Sequence, residues 1–169
     1  MDTGDTGLGE GATPLMRAAR SGDYAVMKLL LAKGADPKHT AKDGTTAFLV
    51  AAGIGYRDKS TRGTEADALE AIKVALDQGA DVNQASTRGE TALHGAAGRG
   101  ADTIVDFLVA HGAKIDAKNR QGQTILDYAM GKNVAGQLPV PHDSTVALVK
   151  KLGGAEGVRA QGPPPAPAH

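Results

Sequence analysis

Apolar residues recur along this chain in short runs at three-to-four-residue spacing, and the same polar and glycine residues bracket every run. The run TPLMRAARSG from Thr13 returns as TAFLVAAGIG from Thr46, TALHGAAGRG from Thr91 and TILDYAMGKN from Thr124. Each leads to a second run, reading LLLAKGAD, VALDQGAD, FLVAHGAK and finally LVKKLGGA. The four threonines lie 33, 45 and 33 residues apart. A period of this size predicts a stack of supersecondary units, so function should sit on an extended surface and not in a catalytic pocket.

Each unit reads as two short helices. Thr13 can cap the first through its hydroxyl, and Pro14 suits the first helical position, where no N–H partner is needed. Leu15, Ala18 and Ala19 form its apolar face, and Gly22 can take the left-handed conformation that ends it. Val26, Leu29, Leu30 and Lys33 mark a second helix, which Gly34 closes before the loop at Ala35-Asp36. Thr46, Thr91 and Thr124 repeat the cap. Gly55, Gly100 and Asn133 repeat the first stop, and Gly79, Gly112 and Gly153 the second. Helices this short cannot bury their apolar faces alone, so neighbouring units must stack. Where the first three second helices carry Leu31, Leu76 and Val109, the fourth carries Lys150, followed by Lys151. That polar face suits the last unit of a stack; Arg17 is a thinner candidate for the same role at the other end.

Composition narrows the function classes. With 19 basic and 19 acidic residues the net charge is +0, which argues against bulk attraction to nucleic acid or to an anionic membrane. Aromatic residues make up only 3% and tryptophan is absent, so the core must consist of thin layers of Ala, Leu, Val and Ile. The lack of cysteine removes disulfides, thiolate metal sites and a cysteine nucleophile, and leaves the redox compartment open. The N-terminus has no basic start or apolar stretch of a secretory signal, and no run reaches the roughly 18 apolar residues of a membrane span. A soluble, monomeric protein is expected, with the cytoplasm favoured.

The segment from Thr91 to Gly100, together with QGADVN from Gln78 to Asn83, resembles the ankyrin repeat, whose pattern includes T-P-L-H-x-A and G-A-D-x-N. The resemblance runs from about Gly9 to Gly154. It implies an all-α solenoid of about four stacked helix–turn–helix units with hairpin-like fingers. The repeats would span about 9–41, 42–86, 87–119 and 120–155, with a disordered leader at 1–8 and a disordered proline-rich tail at 156–169. The motif's proline survives only as Pro14, replaced by Ala47, Ala92 and Ile125, and its histidine only as His94, replaced by Met16, Leu49 and Asp127. The fourth repeat is the most divergent. His94 is expected to bond to a neighbouring finger's backbone.

The resemblance further implies a non-catalytic module that binds a partner protein on its concave face, without metal or cofactor. Carried over by position, that face offers Glu10, Arg20 and Ser21 from repeat one and Lys42, Asp43 and Thr45 from repeat two. Repeat three adds Thr87, Arg88, Glu90 and Arg99, and repeat four adds Arg120, Gln121, Gln123 and Lys132. Six of these are basic and three acidic, which favours a partner with an acidic patch. Two other function classes stay open: an inhibitor or immunity-type subunit that occludes an enzyme, and a small-molecule enzyme or binding protein that uses inserted loops.

Two insertions carry the last alternative. Repeat two is 12 residues longer than its neighbours, and the extra length, YRDKSTRGTEAD, falls between its helices. Thr64 and Asp67 read as a capping box, which places the next helix start near Glu65. Repeat four has an excess of 8 residues at the same topological point, about Val134 to His142. Such turns tolerate added length at little cost, but Tyr56, Arg57, Arg62 and Leu138 could form an accessory contact site.

Other candidate chemistries fail on geometry. The two Asp-Thr-Gly triplets at Asp2 and Asp5 match the aspartic protease triplet, yet adjacent copies cannot bring two carboxylates from separate lobes together. His39, His94, His111, His142 and His169 lack metal-ligand spacing, with His142 the best placed for a surface ligand. Gly53-Ile54-Gly55 lacks the strand of a phosphate-binding loop. No serine lies in a nucleophile elbow. The GPPPAPAH tail reads as polyproline-like, with a proline-recognition ligand as the sharper alternative.

Overall fold

A computed structural model describes residues 8, 10–55, 63–132 and 140–157. The accessory-loop candidates Tyr56, Arg57, Arg62 and Leu138 lie outside the described residues, as do almost all of the leader and tail. Among the described residues there are eight helices: α1 (Pro14–Ser21), α2 (Tyr24–Ala32), α3 (Ala47–Ala52), α4 (Glu65–Asp77), α5 (Ala92–Gly98), α6 (Asp102–Ala110), α7 (Ile125–Ala129) and α8 (Asp143–Lys151). They pair as α1–α2, α3–α4, α5–α6 and α7–α8, which gives four helix–turn–helix units. First helices pack in the series α1, α3, α5, α7 and second helices in the series α2, α4, α6, α8, so two layers run the length of the stack.

Local chemistry sets the helix starts as expected. The Thr13, Thr46 and Thr124 hydroxyls accept from the backbone N–H three residues on. Thr64 and Asp67 close a reciprocal capping box, with Thr64 N donating to Asp67 Oδ2 at 2.9 Å and Asp67 N to Thr64 Oγ1 at 3.2 Å. Hydrogen bonds to the Thr64 backbone and hydroxyl hold the Asp67 carboxyl below the usual carboxylate range. The start of α6 lacks a capping side chain because Ala101 holds that position. Glu65, one repeat earlier, fills the gap: its Oε1 accepts from Thr103 N at 2.9 Å. A helix in one repeat is thus capped by the repeat before it.

Two expected stops move. The α3 helix ends at Gly53, with φ 114°, two residues ahead of Gly55. Only glycine fits here, because a Cβ would stand 2.9 Å from the Gly95 carbonyl of repeat three. In repeat four Gly131, with φ 71°, ends the helix before Asn133, which lies outside the described residues. Gly34, Gly79, Gly112 and Gly153 all take positive φ at the second stops, as the spacing predicts.

The core is one continuous cluster from Leu15 to Val149, rich in alanine, and Phe48 is its largest fully buried side chain. The apolar face expected for α2 needs correction. Met27 is its only buried residue, while Val26 and Leu29 are 39% and 57% exposed. Their equivalents in later repeats are covered by a preceding second helix, which α2 lacks among the described residues. At the other end Lys150 and Lys151 are exposed. Residues Glu156 and Gly157, assigned to the tail from sequence, bind repeat four: Gly157 N donates to Asp127 Oδ2 at 2.9 Å, and Glu156 pairs with Lys132 at 3.3 Å.

Candidate functional site

The fingers between repeats build the most regular polar surface of the molecule. Each is a tight reversal: Ala41 N donates to Thr45 O, Ser86 N to Glu90 O and Asn119 N to Gln123 O, at 2.8 to 3.0 Å. Antiparallel bridges Ala85–Thr91 and Lys118–Thr124 frame the last two fingers. The fingers then join tip to tip through the backbone. Lys42 N donates to Glu10 O at 2.9 Å, Thr87 N to Asp43 O at 2.8 Å and Arg120 N to Arg88 O at 2.8 Å. These three bonds turn four separate loops into one edge.

Side chains stiffen each tip. Asp43 Oδ1 accepts from Thr45 N at 3.0 Å and Ser86 Oγ from Arg88 N at 3.3 Å. Asn119 Oδ1 accepts from both Gln121 N and Gln123 N, at 3.0 and 2.9 Å. Ala41 cannot make the bond of Ser86 or Asn119 at the equivalent position, so Asp43 supplies it from within the tip.

Behind the third and fourth fingers lies a buried polar network. The Tyr128 hydroxyl donates to Glu90 Oε1 at 2.6 Å and accepts from Asn119 Nδ2 at 3.2 Å. Arg88 Nε donates to Glu90 Oε2 at 2.9 Å, so one carboxylate ties a finger tip to the helix of the next repeat. Burial, together with the bond and charge of Glu90, raises the Tyr128 pKa well beyond its ordinary value. His94 stands edge-on to Tyr128 with centroids 4.9 Å apart. Its Nδ1 accepts from Thr91 N at 3.2 Å, which leaves Nε2 to donate to Gln123 O at 3.3 Å in the next finger. The expected bond from His94 to a neighbouring finger is present.

Burial lowers the His94 pKa, against the raising effects of Gln123 O and Glu90. The neutral ring is therefore the folded form, and the unfolded chain binds this proton more readily. The contribution to stability is complete above about pH 6.5, the ordinary histidine value, and falls as pH drops from there through the folded value. Thermal melts from pH 8 down to 5.5 should show Tm declining in that window. A His94→Asn variant should be less stable but flatter over the same range. An equal slope in both proteins would remove His94 as the cause. Asp127 titrates lower. Burial pushes its carboxyl up, but the N–H groups of Thr124 and Gly157, the Thr124 hydroxyl and Lys132 outweigh this and hold it down.

The surface residues expected from sequence divide into two groups. Lys42, Thr87, Arg88, Arg120 and Gln121 are exposed on the joined finger edge, with Asp43 partly exposed beside them. Thr45 and Glu90 are buried and cannot meet a partner, because the finger reversal turns the first inward and the Tyr128 network holds the second. Arg20, Arg99, Gln123 and Lys132 are half-buried. Arg99 lies over Gly53 and donates to Ala51 O at 3.4 Å, Gln123 Nε2 donates to Lys132 O at 2.9 Å, and Lys132 pairs with Asp127 and Glu156. Lys42 pairs with Glu10 at 2.6 Å, both side chains well exposed. Sequence spacing overlooked Asn119 and Tyr128; an aromatic in the alanine-rich stretch of a first helix was the available signal. His142, the surface-ligand candidate, is half-buried, with Nε2 3.2 Å from Gly98 O and its ring beneath Gly100.

Residues 63–140 match the family model of ankyrin repeats in three copies, and residues 10–42 match that of a single ankyrin repeat. The chain belongs to the ankyrin repeat family. Over 116 residues the array is 36% identical to the Ankyrin repeat and KH domain-containing protein mask of Drosophila melanogaster, covering 68% of this chain and 3% of that protein. It is 37% identical over 115 residues to Ankyrin repeat and KH domain-containing protein 1 of Homo sapiens, covering 66% of this chain and 4% of the relative. Ankyrin repeat and SOCS box protein 18 of Homo sapiens is 31% identical over 163 residues, with 83% of this chain and 34% of the relative covered. The chain thus spans a small part of these relatives. Ankyrin repeats are generally protein–protein interaction modules and typically non-catalytic. Among the described residues, no helix of the ankyrin array is long and apolar enough to cross a membrane, and no cluster of His, Asp and Glu could hold a metal ion.

Proposed function

We propose that this ankyrin array binds a partner protein along the joined finger edge, and that the partner presents an acidic patch there. The observation that carries this reading is the series of tip-to-tip backbone bonds linking Glu10, Lys42, Asp43, Thr87, Arg88 and Arg120. A surface ordered before contact loses less conformational entropy on binding. Its exposed charge leans positive, since Arg120 makes no ion pair among the described residues and Arg88 keeps 56% of its side chain exposed beside Glu90.

The residues best suited to a test are those whose side chains do least within the array: Arg120 makes no ion pair among the described residues, and the Lys42–Glu10 pair is well exposed and contributes little to stability. Arg88 and Arg99 hold the array together, so reversing them would confuse binding with folding. A Lys42→Gln, Arg120→Glu double variant, which removes the Lys42 charge without setting a second carboxylate against Glu10, should keep the wild-type melt. It should lose about tenfold in affinity for a partner captured by the wild-type array, mainly through slower association at low salt. Equal affinity and equal salt dependence in the double variant would remove the acidic-partner reading.

A further inference from the structure

The finger edge leaves the N-terminal end of the outer helix layer unexplained. On α2, Val26 and Leu29 are 39% and 57% exposed, although every residue in the Val26 register of later repeats is buried: Ala71, Ile104 and Thr145 are all 0% exposed. The Leu29 register is Val74, which is buried, then Phe107 and Leu148, which are partly buried. In the Val26 register Thr145 Oγ1 donates to Asp102 of α6, the preceding second helix. Lys28, Leu31 and Ala32 of α2 face Val74 and Gln78 of α4 across a hollow of about 330 Å³. The strip 26/29/33 is therefore the side of a second helix that receives another second helix.

Three occupants can be compared. One is residues 1–7, MDTGDTG, whose sequence holds a single apolar side chain, Met1. Head-to-tail addition of another copy would bring α8, whose residues in the register of Lys28, Leu31 and Ala32 are Ala147, Lys150 and Lys151. That places two ammonium groups on Val26 and Leu29 and beside Lys33, with like charges together and lysine desolvated. The third arrangement is α2 against α2 of a second copy. Asp23, Val26, Leu29 and Lys33 follow one side of the helix at three-to-four-residue spacing. The strip carries an exposed acid at its N-terminal end and an exposed base at its C-terminal end. Turned antiparallel on a two-fold axis, Asp23 meets Lys33 of the second copy at both ends, and the apolar residues meet in the middle.

We infer that this chain self-associates through α2 as an antiparallel, two-fold dimer, against the sequence expectation of a monomer. The patch is small, so the dimer is weak, with a Kd of about 0.1–1 mM. Closure by the two-fold axis stops assembly at two copies, and Lys150 and Lys151 keep the opposite end from extending it.

Light scattering over a concentration series reads this directly. The expected mass rises from one chain toward two and no further. A Val26→Asp, Leu29→Glu variant should remain at one chain, and because both residues are already exposed its helical content should match wild type. Lys33→Glu, which sets like charges together at both ends, should weaken dimerisation severalfold. The chain has no cysteine, so a single Leu29→Cys should cross-link into a disulfide dimer under mild oxidation, whereas Lys150→Cys should not. The inference is overturned by a one-chain mass at every concentration, by undiminished association of the Val26→Asp, Leu29→Glu variant, or by cross-linking of the Lys150→Cys variant in place of the Leu29→Cys variant.

Discussion

Gly95→Val is expected to lower the melting temperature by about 5–10 °C. Gly95 lies inside α5, where a glycine ordinarily weakens a helix by up to about 1 kcal/mol relative to alanine. Helix propensity alone therefore predicts stabilisation on substitution. Packing predicts the reverse. A Cβ at Gly95 would stand 2.8 Å from Ile54 N, 3.0 Å from Ala52 O and 3.0 Å from Gly53 C. All three are backbone atoms at the end of α3, so no side chain can rotate away. Either α3 and α5 separate, or the turn at Gly53 distorts. Overpacking of this kind costs about 1–3 kcal/mol, and more where backbone must move. Gly95→Ala decides between the two effects: a Tm at or above wild type would show that the close approach does not govern this position.

Phe48→Ala should destabilise the array by about 3–5 kcal/mol, seen as a lower urea midpoint with an unchanged slope. Phe48 is 1% exposed and the largest fully buried side chain, in α3 between α1 and α5. It belongs to a core cluster rich in alanine, which includes Ala18, Ala19, Ala51, Ala52 and Ala96, and alanines have no side-chain reach with which to close a cavity. Phe48→Leu should recover most of the loss. A cost below about 1 kcal/mol for Phe48→Ala would mean that the layers collapse onto the gap, contrary to this account.

The two-layer stack was legible because its determinants are local and repeated. A threonine cap, a run of small apolar residues and a glycine stop recur four times, and each recurrence supports the others. The capping box at Thr64 and the interrepeat bond of His94 were readable for the same reason. What escaped the sequence depends on neighbours. Gly53 ends α3 ahead of Gly55 because Gly95 of the next repeat stands against it. Val26 and Leu29 have the spacing of a core face, yet a core face is defined by what packs on it, and α2 has nothing on that side among the described residues. Glu90 has the position of an exposed contact and the chemistry of a solvated charge. It is buried because Tyr128, 38 residues later, places a hydroxyl 2.6 Å away.

The enlarged turn of repeat two returns at Gly63, held closely over the Ser21 carbonyl so that even a methyl group would not fit. The enlarged turn of repeat four returns at His142, whose backbone N–H donates to Ala129 O at 2.9 Å and whose ring seats beneath Gly100. Each insertion is therefore followed by a residue held closely against the helices. Segments could be shortened, lengthened or exchanged ahead of these residues while the register of the stack stays the same, which makes these two sites natural points for grafting new sequence.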